Sequence, residues 1–235
     1  MERKFKFSED EFYHVYNRGT DKRLIFLDDD DRNYFQKLLY LSNSTKRIIL
    51  RDLPSGASVY SIKREDTFVD IGAYTLMPNH FHLLLYEKNE GGISTFMGKL
   101  GTAYAMYFNK KYKRTGGLFE GSFKAVHADE DGYLEYLFSY IHLNLIKLIQ
   151  KDWKIVGIKN LDEAHSCLDG YRYSSYGDYA GNVREEGLIL NKESFPEYFL
   201  GAKDFKKLTD EWLEYGSKFN VDGSVVASTQ GSPVY

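Results

Sequence analysis

His80 and His82 stand in the run Tyr74-Thr-Leu-Met-Pro-Asn-His-Phe-His-Leu-Leu-Leu-Tyr86, two imidazoles separated by one large apolar residue. Alternate side chains of a strand share a face, so His80 and His82 project together while Phe81 and Leu83 point the other way. Such a pair can grip a divalent cation, although two ligands do not complete a site and a half-exposed strand accommodates the same pair as ordinary polar residues. A further donor is offered by Tyr140-Ile-His-Leu-Asn144, in which Tyr140 and Asn144 are four apart and share one helical face. The phenolate of Tyr140 can attack a phosphodiester that a divalent cation polarises, leaving a covalent phosphotyrosine link and a free 3′-hydroxyl. An unperturbed phenol has a pKa of about 10, so the site must favour the ionised form during attack, which nearby positive charge does. Each part also has a structural reading: Tyr140 as a core tyrosine, Asn144 as a helix-surface amide, His142 as a side chain pointing elsewhere.

The elements that must hold these groups follow from the periodicity. Phe12 to Gly19 reads as a first strand, rich in aromatic and β-branched residues and closed by glycine. Asp28 to Asp31 caps a helix with Tyr34, Phe35, Leu38, Leu39 and Leu41 at helical spacing. Asp52 to Ser58 reads as a loop, Phe68 to Met77 as a second strand, and Pro78-Asn79 as a tight turn into a third strand, Phe81 to Tyr86. Ile93, Phe96, Met97, Leu100, Ala103, Tyr104 and Tyr107 trace a helix running to about Lys111. A fourth short strand lies around Phe123 to Val126, and Glu130-Asp131 opens a further helix carrying Tyr140. The order β-α-β-β-α-β, then α, predicts an α+β fold of ferredoxin-like type, a four-stranded antiparallel sheet with helices packed on one face. After about residue 150 the pattern weakens. Phe205 to Phe219 reads as an amphipathic helix, and residues from about Val221 onward as a loose tail.

Composition sets the outer limits. The charged fraction of 28% and apolar fraction of 43% are ordinary for a globular protein, and no apolar run approaches the ~20 residues that span a bilayer, so no membrane partner is expected. The lone Cys167 cannot form an internal disulfide, and the first residues lack a secretory apolar stretch, which together predict a cytoplasmic location. The net charge of −3 does not advertise a nucleic-acid partner, so DNA binding must rest on local charge. Lys110, Lys111, Lys113 and Arg114 form the densest basic stretch, with Lys124 beyond it; a solvated helix end explains such a stretch equally well.

Four segments in order, Tyr13-His-Val-Tyr-Asn-Arg-Gly19, Tyr74 to Leu85, Gly117-Leu-Phe-Glu-Gly-Ser-Phe-Lys-Ala125 and Tyr140 to Asn144, resemble the HUH-type single-tyrosine transposases, most of all their REP-associated branch. The similarity runs from about residue 12 to about 181, where Tyr171 to Gly181 looks like that branch's aromatic closing segment. The resemblance implies a catalytic domain over 1–181 and a C-terminal extension over 182–235, partly helical. It further implies a transposase-like nickase and strand transferase acting on single-stranded or hairpin DNA through a 5′-phosphotyrosine intermediate. His80, His82 and Asn144 would be ligands to Mg²⁺ or Mn²⁺, and Tyr140 the nucleophile. Arg18, Lys110, Lys111, Lys113, Arg114 and Lys124 become candidates for phosphate contacts. The family pattern often has proline after the asparagine, where this chain has Leu145.

Tyr104, Tyr107, Tyr133 and Tyr136 compete as nucleophiles, Tyr136 most seriously because it lies one turn before Tyr140. Whether one chain builds the site or two chains share it is left open, which admits a homodimer. Two other functions are compatible with the fold: a domesticated, non-catalytic hairpin-DNA-binding protein, which has no need of all four site residues, and a ferredoxin-like RNA-binding domain, which leaves the histidines on the opposite face without purpose.

Overall fold

The computed structural model describes residues 6–46, 48, 56–196 and 201–218. Most of the loop expected at Asp52–Ser58, and the tail expected from Val221, lie outside the described residues. Four strands, β1 (Phe12–Arg18), β2 (Val69–Met77), β3 (His80–Glu87) and β4 (Lys124–His127), form one sheet in the order β2-β3-β1-β4. All pairings are antiparallel. With α1 (Asp29–Ser42) between β1 and β2, and α2 (Gly92–Lys111) between β3 and β4, this is the expected ferredoxin-like arrangement.

Local chemistry fixes the helix starts. The Asp28 carboxylate accepts from the Asp31 backbone N–H at 3.0 Å and so caps α1. The buried Glu87 carboxylate accepts from Gly91 N at 2.8 Å and Ile93 N at 2.6 Å, satisfying the first orphan donors of α2. Tyr13, Val15, Phe81, Leu83 and Leu85 face α1 and α2, where Phe35, Leu39, Phe96 and Leu100 complete one core.

The helix carrying Tyr140, α3 (Asp131–Leu143), packs on the opposite face of the sheet. Its Leu137, Phe138 and Ile141 meet Ala73, Met77 and Leu84 in a second core, to which Phe195, Phe205 and Leu213 also belong. A tight 3-10 turn (Asn144–Leu148) and the short helices α4 (Trp153–Val156), α5 (Leu161–Gly170) and α6 (Tyr176–Tyr179) follow, then α7 (Ala202–Lys218). No helix among the described residues is long and apolar enough to cross a membrane.

The aromatic segment after Gly170 closes the free edge of β2. Leu76 N donates to Tyr173 O at 3.0 Å, and Ser175 N to Tyr74 O at 2.9 Å, so this edge strand does not present an open row of donors. His142 ties the same segment to α3. Its Nδ1 lies 2.9 Å from Phe138 O, which can only accept, so Nε2 accepts from the Ser175 hydroxyl at 2.7 Å. His142 thus turns away from the sheet face that carries the other histidines, and burial holds its proton affinity down at about 3. The bulge in β2 falls at Gly72, where a Cβ would come within 2.4 Å of the Phe195 ring; only glycine lets that ring lie on the strand.

Candidate active site

The register of β1 on β3 sets Arg18 opposite His80, Tyr16 opposite His82 and His14 opposite Leu84. Alternation places His14, Tyr16, Arg18, His80 and His82 on one face, the face that α3 covers in part. The His80 and His82 rings are 4.9 Å apart.

Both rings are held by neighbours through Nδ1. His80 Nδ1 is 2.6 Å from Asn79 Oδ1, an acceptor, so His80 carries its proton there and leaves Nε2 as a lone pair. His82 Nδ1 is 2.8 Å from His14 Nε2 in a buried contact; with the shared proton on His82 Nδ1, His82 Nε2 is a lone pair. His14 is buried at 1% exposure and His82 at 2%. Desolvation, then Lys154, lowers the His14 pKa to about 3; desolvation, then Lys147 and Arg18, lowers that of His80 to about 4. Desolvation, then His14 and His80, holds His82 well below the usual range. All three are therefore neutral imidazoles near pH 7, the protonation state that binds metals.

From α3, Tyr140 brings its ring to 5.8 Å from His82 and 5.9 Å from His14. One chain alone brings the phenol to the imidazoles. Asn144 closes α3: its Nδ2 donates to Tyr140 O at 2.8 Å, which identifies the other amide atom as oxygen, and that Oδ1 is fully buried without a hydrogen-bond partner. An orphaned buried carbonyl oxygen calls for a ligand, an ion or a water. Among the described residues no group of three or more His, Cys, Asp or Glu is arranged to hold a metal ion; any third donor must be of another type, and the Asn144 amide oxygen is of a suitable one. Two imidazole nitrogens and one oxygen are a donor set suited to a divalent cation that keeps further positions for water or phosphate. Burial raises the Tyr140 pKa, the Asn144 amide opposes that shift, and Tyr16 adds to it.

The rival tyrosines are engaged elsewhere. Tyr104 is fully buried on the opposite face and donates to Ile25 O at 2.5 Å, and Tyr107 stacks on Tyr34 at 3.8 Å. Tyr133 stacks on Tyr136, and Tyr136 packs between Tyr140, at 5.8 Å, and Trp212 of α7, at 5.4 Å.

A cleft of about 300 Å³ opens beside the histidines, lined by His80, His82, Tyr16, Asn79, Arg18, Lys22, Lys124, Lys147 and Glu120 among others. Four cations against one carboxylate make it locally positive in a chain of net negative charge. Arg18 engages Glu120 through both Nε and Nη2, the latter at 3.1 Å. The loop that brings Lys22 here starts at Gly19, where a Cβ would sit 2.4 Å from Arg23 O. Lys110, Lys111, Lys113 and Arg114, by contrast, do not line the cleft. Lys111 is bound to Asp28 and Asp31 at 2.8 Å each, as a tie between the end of α2 and the start of α1.

Sequence reasoning missed several residues of this neighbourhood, among them His14, Asn79, Lys22, Lys147 and Lys154. His14 had a signal, since it stands two and four residues before Tyr16 and Arg18 and so shares their face. Lys154 Nζ lies over the Tyr140 ring, 3.8 Å from its centroid.

Residues 55–144 match the model of the family described as "Transposase IS200 like". A solved structure of a REP-associated tyrosine transposase bound to a REP hairpin aligns with 79% of this chain and 89% of that one, at 11% identity and a TM-score of 0.45. No curated protein matches the chain. The family match covers less than half of the chain; it contains His80, His82 and Tyr140 and ends on Asn144.

Proposed function

We propose that this protein is a metal-dependent DNA nickase and strand transferase of the Y1 type, acting on single-stranded or hairpin DNA with Tyr140 as nucleophile. The observation that carries the reading is the meeting of Tyr140 with His82, at 5.8 Å between rings, beside an unpartnered Asn144 oxygen. The Tyr140 oxygen attacks the phosphorus of a phosphodiester, the bond to the 3′-oxygen breaks, and that oxygen takes up a proton equivalent to the one the phenol loses. One ester replaces another, so no nucleotide cofactor is consumed and a 3′-hydroxyl can reverse the step.

His80 and His82 through Nε2, and Asn144 through Oδ1, are the atoms that would hold Mg²⁺ or Mn²⁺. When bound, such an ion polarises the phosphodiester and helps stabilise the developing charge. Asn79 and His14 orient the two imidazoles. Arg18 and Lys124 contact flanking phosphates, Arg18 after exchanging its Glu120 partner for DNA. Lys110, Lys111, Lys113 and Arg114 are left to DNA that extends past the cleft, Lys111 at the cost of its Asp28 and Asp31 contacts. Residues 1–181 carry the chemistry, and α7 braces the tyrosine helix from behind through Trp212 and Phe205.

The test is incubation of labelled single-stranded hairpin DNA with the protein and Mn²⁺, followed by a denaturing gel. A protein-DNA adduct is expected with the native chain and with Tyr136→Phe, and none with Tyr140→Phe. An adduct that survives Tyr140→Phe and disappears with Tyr136→Phe moves the nucleophile; hairpin binding with no adduct from the native chain favours the non-catalytic alternative. Separately, His14→Phe removes the partner that orients His82, and Mn²⁺ affinity by titration calorimetry is expected to fall by about 10–100-fold, the usual effect of losing an outer hydrogen bond to a ligand. His14→Gln, which retains a hydrogen-bonding group, should recover part of it.

A further inference from the structure

Two lysines approach this site from the segment that directly follows α3, and neither the family match nor the reaction assigned above gives them a role. Lys147, on the 3-10 turn, lines the cleft beside His80 and His82. Lys154, on α4, sets its ammonium over the Tyr140 ring, at 3.8 Å.

Neither has a carboxylate partner among the described residues, which separates them from Lys88, Lys111, Arg18 and Arg184, all ion-paired. The one carboxylate of the cleft, Glu120, is engaged by Arg18. The three neighbouring imidazoles are neutral, and the interaction between the two lysines is repulsive: crowding by protein first, and Lys147 second, pull the Lys154 pKa down, an effect that solvent screens because the residue is exposed. Lys147 is lowered by desolvation. Two like charges beside desolvated rings lower stability unless an anion joins them.

We propose that Lys147 and Lys154 form a phosphate clamp that receives the phosphodiester attacked by Tyr140. This assignment rests on the nickase reading. The group whose charge grows during attack must lie between the phenol and the histidines; Lys154 stands over the phenol ring and Lys147 beside the histidines. Their ammonium groups donate hydrogen bonds to the non-bridging oxygens, and Lys154 favours the ionised phenol once the anion has arrived. Placing the cations on the segment after Asn144 also couples them to α3, so that movement of the tyrosine helix carries the clamp with it.

The experiment measures single-turnover adduct formation from labelled hairpin DNA with Mn²⁺, together with hairpin affinity and melting temperature, for Lys154→Met, Lys147→Met, the double variant and the two Lys→Arg variants. Loss of one charge-stabilising donor is expected to slow adduct formation by about 100-fold or more, well beyond the loss of hairpin affinity that one phosphate contact entails, with melting temperature little changed, and arginine should restore most of the rate. Met variants that react at the native rate overturn the clamp while leaving the nickase reading intact. So does a parallel fall in rate, affinity and melting temperature, which marks a structural role.

A second arm does not depend on cleavage: inorganic phosphate is titrated into the protein while the lysine Nζ resonances are followed by NMR. Saturable shifts in the native chain that vanish in the double Met variant support the clamp even if no hairpin yields an adduct, in which case the nickase reading alone fails. Absence of saturable shifts, together with absence of any adduct, overturns both.

Discussion

Replacement of His82 by alanine is expected to slow adduct formation by more than the ~10–100-fold that loss of an outer partner costs, because the ring itself is removed. Its Nδ1 is held by His14 at 2.8 Å and its Nε2 faces the Tyr140 side of the sheet, so no neighbouring donor can take its place. Binding should respond differently. Hairpin affinity at a fixed salt concentration, and its slope with salt, depend on the cations of the cleft rather than on a neutral imidazole, so both should stay near native values. The alanine also leaves a small cavity at a 2% exposed position, which makes free imidazole a useful probe: added to His82→Ala, it should recover part of the adduct rate. Affinity and rate falling in step, with no rescue by imidazole, would show that His82 is only a packing residue. His80→Ala should lose rate by a comparable factor with a smaller effect on folding, since His80 is only partly buried.

The second large effect concerns stability. Arg184 grips Asp178 with two hydrogen bonds, at 2.8 and 2.6 Å, and also donates to Ser174 O at 2.5 Å and to the Tyr74 hydroxyl at 3.1 Å. The Asp178 side chain is 2% exposed. Arg184→Met leaves that carboxylate buried and unmatched, which typically costs about 3–5 kcal/mol and should lower the melting temperature by roughly 6–20 °C for a chain of this size. Asp178→Asn in the same background should cost much less than the sum of the two single changes, because the stranded charge is gone. Additive losses in urea unfolding would show that the two residues are not coupled. The network also holds the 173–175 segment on β2, and through Ser175 it holds His142 of α3. A loosened Arg184 variant should therefore lose adduct formation at temperatures where it remains folded.

Much of the frame could be read from residue spacing. β1, β2 and β3 follow from alternation, and α2 from an apolar stripe, because each has one face in a core and one pattern that satisfies it. Their observed bounds differ from expectation by a residue or so, as in His80–Glu87 for Phe81 to Tyr86. The His80, His82, Tyr140 and Asn144 set was accessible because each pair is local in sequence. For His14 alternation displayed only the shared face with Tyr16 and Arg18; its contact with His82 exists only through the β1–β3 register, a property of two strands separated by α1 and β2. Of the helices after residue 150, α7 was legible as the amphipathic stretch from Phe205, whereas the short helices α4, α5 and α6 were missed for a different reason. α5 buries only Ala164 and Leu168, too few to make a stripe, although its Asn160 cap, accepting from Glu163 N at 3.1 Å, is a start signal that sequence displays. The basic run at the end of α2 was legible as charge density, but charge density along a chain says nothing about what lies across from it. Lys111 meets carboxylates from the start of α1, whereas Lys147 and Lys154, scattered in sequence, meet none among the described residues.

Consider finally β1 as a ruler. His14, Tyr16 and Arg18 mark successive rungs about 6.7 Å apart, running from a dry interior imidazole to a guanidinium at the cleft mouth. Because backbone pairing with both β3 and β4 fixes that scale, a single inserted or deleted residue within β1 would invert every rung and leave the histidine pair facing an apolar side chain. Divergence in what the protein recognises must therefore accumulate in the loops at the strand ends, while the gauge between interior and mouth stays constant.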